Sequence, residues 1–296
     1  MTISCKVIAK SVSPSLIEIA TIEIEYPRFI LAELNTHRML SKNSASSRAI
    51  PIRKVHEYIR NSPAIPVEWG KNQAGMSARE LLSKEEAAAA KEIWLNGIDS
   101  AIFHSLVLAE QYNVHKQIAN RITEPWMTMK SVVTATNWLN FFELRAHPDA
   151  QPEFRELAYA IKDELDATTP QKLEEGEWHV PYVQTDRNKD GVLEYYDQFG
   201  KLLSLEDAKT ISASCCAQVS YRKNDDTLEK AKQVFDRLMS TPMHASPIEH
   251  QATPMVNASL KDPGVTHLTK SGDLYSANFR GWIQNRQLYA NESVKN

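Results

Sequence analysis

The chain has 296 residues, enough to bury a full core in one or two domains. Its 42% hydrophobic and 24% charged composition is that of an ordinary soluble globular protein. A formal net charge of −3 excludes a protein that coats DNA through an overall basic surface, while leaving room for a local basic pocket around one phosphate.

Three cysteines, two of them adjacent (Cys215 and Cys216), make no disulfide framework and suit a reducing cytoplasm. The start MTISCKVIAK lacks the apolar core of a signal peptide, and no stretch approaches a membrane span. The expectation is a cytoplasmic protein.

Residues 16–26, LIEIATIEIEY, alternate isoleucine with charge as a strand does. The phase slips near Ala20-Thr21, which predicts a bulge or turn there. Pro27 opens a predicted helix, RFILAELNTHRML, and a less regular stretch runs on to about residue 76. Helical patterning returns at 79–112, where Ile93, Trp94, Ile98, Ala101, Ile102, Ala109 and Tyr112 share a predicted buried face and Gly97 allows a close contact or a break. Residues 131–145 place Ala135, Trp138, Leu139 and Phe142 on one buried helix face. Asp149, Pro152 and Glu153 resemble a helix start, followed by the stripe Phe154, Leu157, Ala158, Ile161 and Leu165. A hairpin turning at Asp190-Gly191 is predicted within 180–205, and a helix over 226–240. Ser246-Pro247-Ile248-Glu249 has the spacing of a capping box, and 273–296 reads as a strand or loop leading into a short helix. Helices dominate over strands, so the expected class is α+β, with helices packed around a mixed or antiparallel sheet.

The segment with chemistry is Glu33-Leu-Asn-Thr-His37-Arg38 through Ser41, Asn43, Ser44, Ser46 and Arg48. A helix end carrying His37 and Arg38 passes into a serine loop that ends in an arginine. Phosphate recognition needs such parts: guanidinium forks for bidentate contacts, hydroxyls and free backbone N–H groups for the remaining oxygens. A solvated helix end followed by a serine-rich loop explains the same residues about as well. Asp186-x-Asn188-x-Asp190-Gly191, with Asp197 at the twelfth position, copies the start of a calcium loop, but strand-like flanks favour a plain turn. No neighbouring residue supports an activated thiolate at Cys215-Cys216.

The same segment resembles the signature of the flavin-dependent thymidylate synthases (ThyX), with His37, Arg38, Asn43, Ser46 and Arg48 in register. Asn137-Trp-Leu-Asn140-Phe-Phe-Glu-Leu-Arg145, followed by Ala150-Gln151 and Glu153, resembles that family's catalytic helix, and Arg121-Ile-Thr-Glu-Pro125 its Arg-x-x-x-Pro step. Ala217-Gln218-Val219-Ser220-Tyr221 and His244-Ala-Ser-Pro-Ile-Glu249-His250 resemble family segments that ordinarily come first. The motif order therefore implies one circularly permuted catalytic domain over 1–296: 14–175 matching the family's C-terminal part, 176–209 an insertion or linker, and 210–296 matching the N-terminal part. Arg280-Gly-Trp282-Ile-Gln284-Asn285-Arg286 and then Asn291-Glu292 resemble a second, degraded copy of the arginine–histidine element, with Glu292 a candidate for the carboxylate missing at Ser44.

The resemblance implies an enzyme that uses FAD, NADPH and methylene-tetrahydrofolate to methylate C5 of dUMP, as a homotetramer with shared sites. It implies a catalytic and substrate-gripping role for Arg145, and nucleotide contacts from Glu33, Ser46, Arg48 and Arg121. Flavin contacts fall on His37, Arg38, Asn140, Ser220 and His244. No metal, membrane or stable nucleic-acid partner is implied. Thr36, Glu33 and Ser44 stand where the family usually has Arg, Gln and Glu. A pyrimidine hydroxymethylase and a degenerate nucleotide-binding protein are the alternative readings.

Overall fold

Ile19, Ile22 and Ile24 favour a strand over 18–27, and cover on both sides buries Ala20 and Thr21 between Ile19 and Ile22 as well. The computed structural model describes residues 3–219, 225–240 and 242–289. Strand β1 (Ser4–Val12) pairs antiparallel with β2 (Glu18–Pro27). A short 3-10 turn then leads into helix α1 (Leu31–Thr36), and β3 (Ser41–Ser44) follows. Helices α2 (Ile52–Asn61), α3 (Lys84–Leu106) and α4 (Lys116–Ala119) come next, then β4 (Thr128–Ala135), α5 (Leu139–Arg145), α6 (Pro152–Ala167) and β5 (Gln171–Lys172). The five strands form one mixed sheet in the order β3-β4-β2-β1-β5, parallel only at β1–β5.

The remainder holds β6 (Gln184–Arg187), β7 (Leu193–Tyr196), β8 (Leu202–Leu203), α7 (Leu205–Ala217), α8 (Leu228–Met239) and β9 (Ala252–Pro254). It ends with β10 (His267–Leu268), β11 (Leu274–Ser276), β12 (Phe279–Arg280) and β13 (Trp282–Gln284). Architecture is α+β, as expected.

Two cores flank the sheet. On one face Ile22, Ile24, Tyr26, Met129 and Val133 pack with Leu34, Phe141 and the α6 stripe Phe154, Leu157, Ala158, Ile161 and Leu165. On the other face Ile19 meets Trp178, Phe279 and Trp282 from the later half of the chain. This double cover is what blurs the alternation at 19–22, because Ile19 and Thr21 face one layer and Ala20 and Ile22 the other. The register irregularity expected near Ala20-Thr21 exists, but it lies on the partner strand, where β1 shifts between Val7 and Ala9 opposite Ile22 and Thr21.

A buried polar chain crosses the second interface. Ser11 Oγ lies 2.8 Å from His179 Nδ1, His179 Nε2 lies 2.9 Å from Thr21 Oγ1, and Thr21 Oγ1 lies 2.6 Å from Thr134 Oγ1. Thr134 Oγ1 in turn lies 2.8 Å from His250 Nδ1. Burial holds both imidazoles neutral, at a pKa of about 3 each. The layers are thus pinned by hydroxyls and neutral rings.

Four expectations change. Residues 131–135 belong to β4, not to a helix: SVVTA is β-branched and buried on both faces between β2 and β3, so its apolar run has no strand-like alternation. The helix there starts at Leu139, whose side chain is exposed rather than buried. On α3 the buried face consists of Ile98, Ala101, Ser105 and Ile102, while Ile93 and, beyond the helix, Tyr112 are exposed. Ser246–Glu249 forms a 3-10 turn without a side-chain cap, because Glu249 pairs with Arg286 instead.

Other expectations are met. The hairpin turns through Asn188–Gly191, with Asn188 Oδ1 accepting from the backbone of Asp190 and Val192. Gly97 is a close contact: a Cβ there would stand 2.6 Å from Cζ2 of Trp126. Cys215 and Cys216 are buried on α7, and burial raises both thiols, Cys215 to about 12, which removes them as nucleophiles.

Candidate active site

Arg145 ends α5, and His37 is the residue on which α1 ends; these two helix ends meet. Arg145 Nε donates to His37 Nε2 over 2.9 Å, and the guanidinium lies over the Phe154 ring, 4.6 Å from its centroid. His37 stacks on the same ring at 5.9 Å and meets Phe141 edge-on at 5.1 Å. Because guanidinium only donates, His37 Nε2 must be the acceptor and its proton sits on Nδ1. Burial first, then the charges of Arg145 and Lys42, lower the His37 pKa to about 4. The imidazole is neutral at pH 7 and serves as a fixed acceptor that aims the arginine.

Lys42 secures this corner from below. Its Nζ donates to the carbonyls of Leu34 (3.2 Å) and His37 (2.6 Å), closing the end of α1 with a cation. Burial lowers the lysine pKa to about 8 against the opposing pull of Glu249.

The serine loop is mostly knitted inward. Ser41 bonds Asn278 and Gln284, Asn43 Nδ2 donates to the Cys216 carbonyl, and Ser44 Oγ lies 2.6 Å from Ser131 Oγ. Ser46 Oγ accepts from the Arg48 backbone N–H (3.3 Å), and the Arg48 side chain is exposed. Ser47 Oγ donates to Glu124 Oε1, which also receives Arg28 Nη2 at 2.9 Å and Arg121 Nη1 at 3.1 Å. An open cleft of about 590 Å³ lies beside this cluster, lined by Arg28, Phe29, Asn35, Arg121 and Glu124.

A second cleft, of about 320 Å³, opens between Lys10, Asn137, Trp138, Leu165 and Arg280. Arg280 reaches it from β12, whose backbone N–H donates to Thr136 Oγ1 over 2.9 Å. Trp138 stacks on Phe142 and meets Phe141 edge-on, so this cleft communicates with the His37–Arg145 corner through one aromatic layer. Trp138 Nε1 and Arg280 Nε are buried N–H donors without an acceptor among the described residues, as one Glu33 carboxylate oxygen is a buried acceptor without a donor.

The expected site residues thus divide. His37 and Arg145 touch directly, and Arg121 joins the loop of Ser46 and Arg48 through Glu124 and Ser47. Glu33 is half-buried on α1, while Arg38 and Asn140 are exposed at the ends of α1 and α5. His244 is exposed in the turn after α8, its backbone N–H bonded to Leu238. Ser220 and Glu292 lie outside the described residues. Sequence reasoning missed Arg28, Lys42, Glu124 and Phe154; only Phe154 had a signal, as a member of the α6 stripe. Among the described residues no group of three or more acidic, histidine or cysteine side chains could hold a metal ion.

No curated protein matches the chain. Among solved structures, the UMP/dUMP methylase PolB from Streptomyces cacaoi bound with 5-Br UMP is similar at 14% identity, over 55% of this chain and 88% of that one, with a TM-score of 0.46. The flavin-dependent thymidylate synthase ThyX from Helicobacter pylori, complexed with FAD and dUMP, is similar at 18% identity over 50% and 67%, with a TM-score of 0.35. The family model described as thymidylate synthase complementing protein matches residues 8–171, which include His37, Arg48, Arg121 and Arg145. With that match over more than half its length, the chain belongs to the thymidylate synthase complementing protein family, the flavin-dependent thymidylate synthases.

Proposed function

We propose that the protein is an FAD-dependent enzyme that transfers a one-carbon unit from methylene-tetrahydrofolate to C5 of dUMP, with NADPH as reductant. The observation that carries this reading is the His37–Arg145 contact, which joins two family motifs 108 residues apart in one fixed geometry. Arg145 would grip the pyrimidine and stabilise negative charge developing on a ring carbonyl, with its aim already set by His37 and Phe154. Glu33 would accept a ring N–H with its unpartnered carboxylate oxygen, and Ser46, Arg48 and Arg121 would hold the phosphate.

The residues also suit a flavin in type. The cleft at Trp138 and Arg280 offers unpartnered N–H donors, a cation, an amide and an aromatic ring to a ligand rich in acceptor oxygens. Arg38, Asn140, Ser220 and His244 would complete its contacts, the exposed ones across a homotetramer interface. When bound, FAD supplies the hydride chemistry that no side chain here provides. A circularly permuted family domain over 1–296, working in the cytoplasm, completes the reading.

A pyrimidine hydroxymethylase is the second reading, favoured by Glu33, an acceptor where the family has a donor–acceptor amide, and by Ser44, whose hydroxyl is engaged with Ser131. Incubation with FAD, NADPH, methylene-tetrahydrofolate and each pyrimidine monophosphate, followed by mass analysis, separates methylated from hydroxymethylated product. Arg145→Ala should abolish turnover while flavin absorbance is retained. Purified protein that gains no flavin absorbance with added FAD would overturn both enzyme readings.

A further inference from the structure

A charge cluster outside the His37–Arg145 corner is built on one carboxylate oxygen. Glu124 Oε1 accepts from Arg28 Nη2 (2.9 Å), Arg121 Nη1 (3.1 Å) and Ser47 Oγ (3.0 Å). Two guanidinium groups share one carboxylate, so one positive charge is unbalanced. The Arg28 side chain is 15% exposed and Glu124 21%, whereas Arg121 is 51% exposed. Both arginines line the open cleft of about 590 Å³ together with Phe29 and Asn35. Arg28 is fixed further: its other fork nitrogen, Nη1, rests 3.9 Å from Met129 Sδ, and its backbone N–H donates to Met127 O. A guanidinium this buried, tied to a shared carboxylate and facing a cleft with surplus positive charge, is built for an anion with several acceptor oxygens.

The geometry points to Arg28 as a second phosphate-binding residue, paired with Arg121 in this cleft, with Glu124 as the positioning residue that pre-assembles the two forks. The inference deepens the proposed function, since it rests on a nucleotide monophosphate being the substrate. Glu124 fixes both arginines through one oxygen, which reduces the ordering that phosphate binding must supply. It also ties the pair to Ser47, which sits between Ser46 and Arg48. The phosphate would thus meet Arg28 and Arg121 in the cleft, with the 46–48 loop tied to them through Ser47 and Glu124.

The test compares binding of deoxyuridine monophosphate and of deoxyuridine, by calorimetry on the full-length, FAD-supplemented protein. Loss of one charge-assisted contact predicts that Arg28→Gln weakens monophosphate binding by roughly tenfold and leaves nucleoside binding unchanged. The same variant should show a shallower salt dependence for the monophosphate. Arg28→Lys keeps the charge for Glu124 but lacks the fork, and should show a smaller loss of the same selectivity. It serves as the second variant if the glutamine protein does not fold. Equal loss for monophosphate and nucleoside would mark Arg28 as structural and overturn the inference. Unchanged monophosphate binding would overturn it too, while leaving the proposed function intact. Wild-type protein that binds neither compound would overturn both.

Discussion

Replacing Thr21 by valine removes one hydroxyl from the middle of the buried chain that runs from Ser11 to His250, with almost no change of shape. Thr21 Oγ1 serves His179 Nε2 at 2.9 Å and Thr134 Oγ1 at 2.6 Å. Thr134 keeps His250 as a partner, but His179 Nε2 is left buried without one. A stranded buried polar group costs about 1–3 kcal/mol, and the neutral ring has no route to water, so the expected loss is about 2–3 kcal/mol. Thr21→Ser is the control: it keeps the hydroxyl and removes one methyl, for a loss of about 1 kcal/mol. Urea midpoints, compared at constant m, read both variants. Thr134→Val combined with Thr21→Val should cost less than the sum of the singles, with a coupling of about 1 kcal/mol or more, because the two hydroxyls bond each other. A Thr21→Val protein within about 0.5 kcal/mol of wild type, or a serine variant weaker than the valine variant, would refute the reasoning.

Acid should destabilise the fold through its neutral histidines. Their folded pKa values, about 4 for His37 and about 3 for His179 and His250, lie below the ordinary 6.5, so the unfolded chain binds more protons in between. Their contribution is complete above pH 6.5 and is lost as pH falls through the folded values; His37→Gln should flatten the pH dependence of the urea midpoint between 6.5 and about 4, and an unaltered slope would refute this. At Gly97, alanine gains about 1 kcal/mol of helix propensity on α3 but meets the Trp126 ring, and overpacking of about 1–3 kcal/mol should leave the variant less stable by calorimetric Tm.

The elements most legible in the sequence were those with a single exposed face. The α6 stripe from Phe154 to Leu165 and the turn at Asn188–Gly191 each obey one local rule, a 3.6-residue period and a turn residue set. Strand β4 was hidden because both of its faces are covered: Val132 packs on Cys216 while Val133 packs with Ile24 and its neighbours, and such a strand has no period to read. At the site, His37 and Arg145 were legible as motif members, but their mutual bond depends on α1 and α5 ending at the same corner, a tertiary fact. Arg28 and Glu124 carried no local signal: each is an ordinary charged residue until Ser47, Arg121 and the cleft surround it. Lys42 likewise gains its role only when α1 stops at His37 and leaves two carbonyls open.

Gly281 lets β12 turn into β13 at φ +68°, where a Cβ would stand 2.4 Å from Ile17 Cδ1, and so brings Trp282 down on the sheet. Trp282 is fully buried and donates its indole N–H to the Ile17 carbonyl, 265 residues earlier, over 3.1 Å. During synthesis, β1 and β2 therefore leave the ribosome long before Phe279 and Trp282, which complete the layer over Ile19, exist. For that interval the nascent chain carries an incompletely covered face at Ile19, the kind of surface that recruits chaperones or self-associates. A premature stop just before Trp282 would not trim an appendage; it would remove a fully buried part of the layer over the first hairpin made.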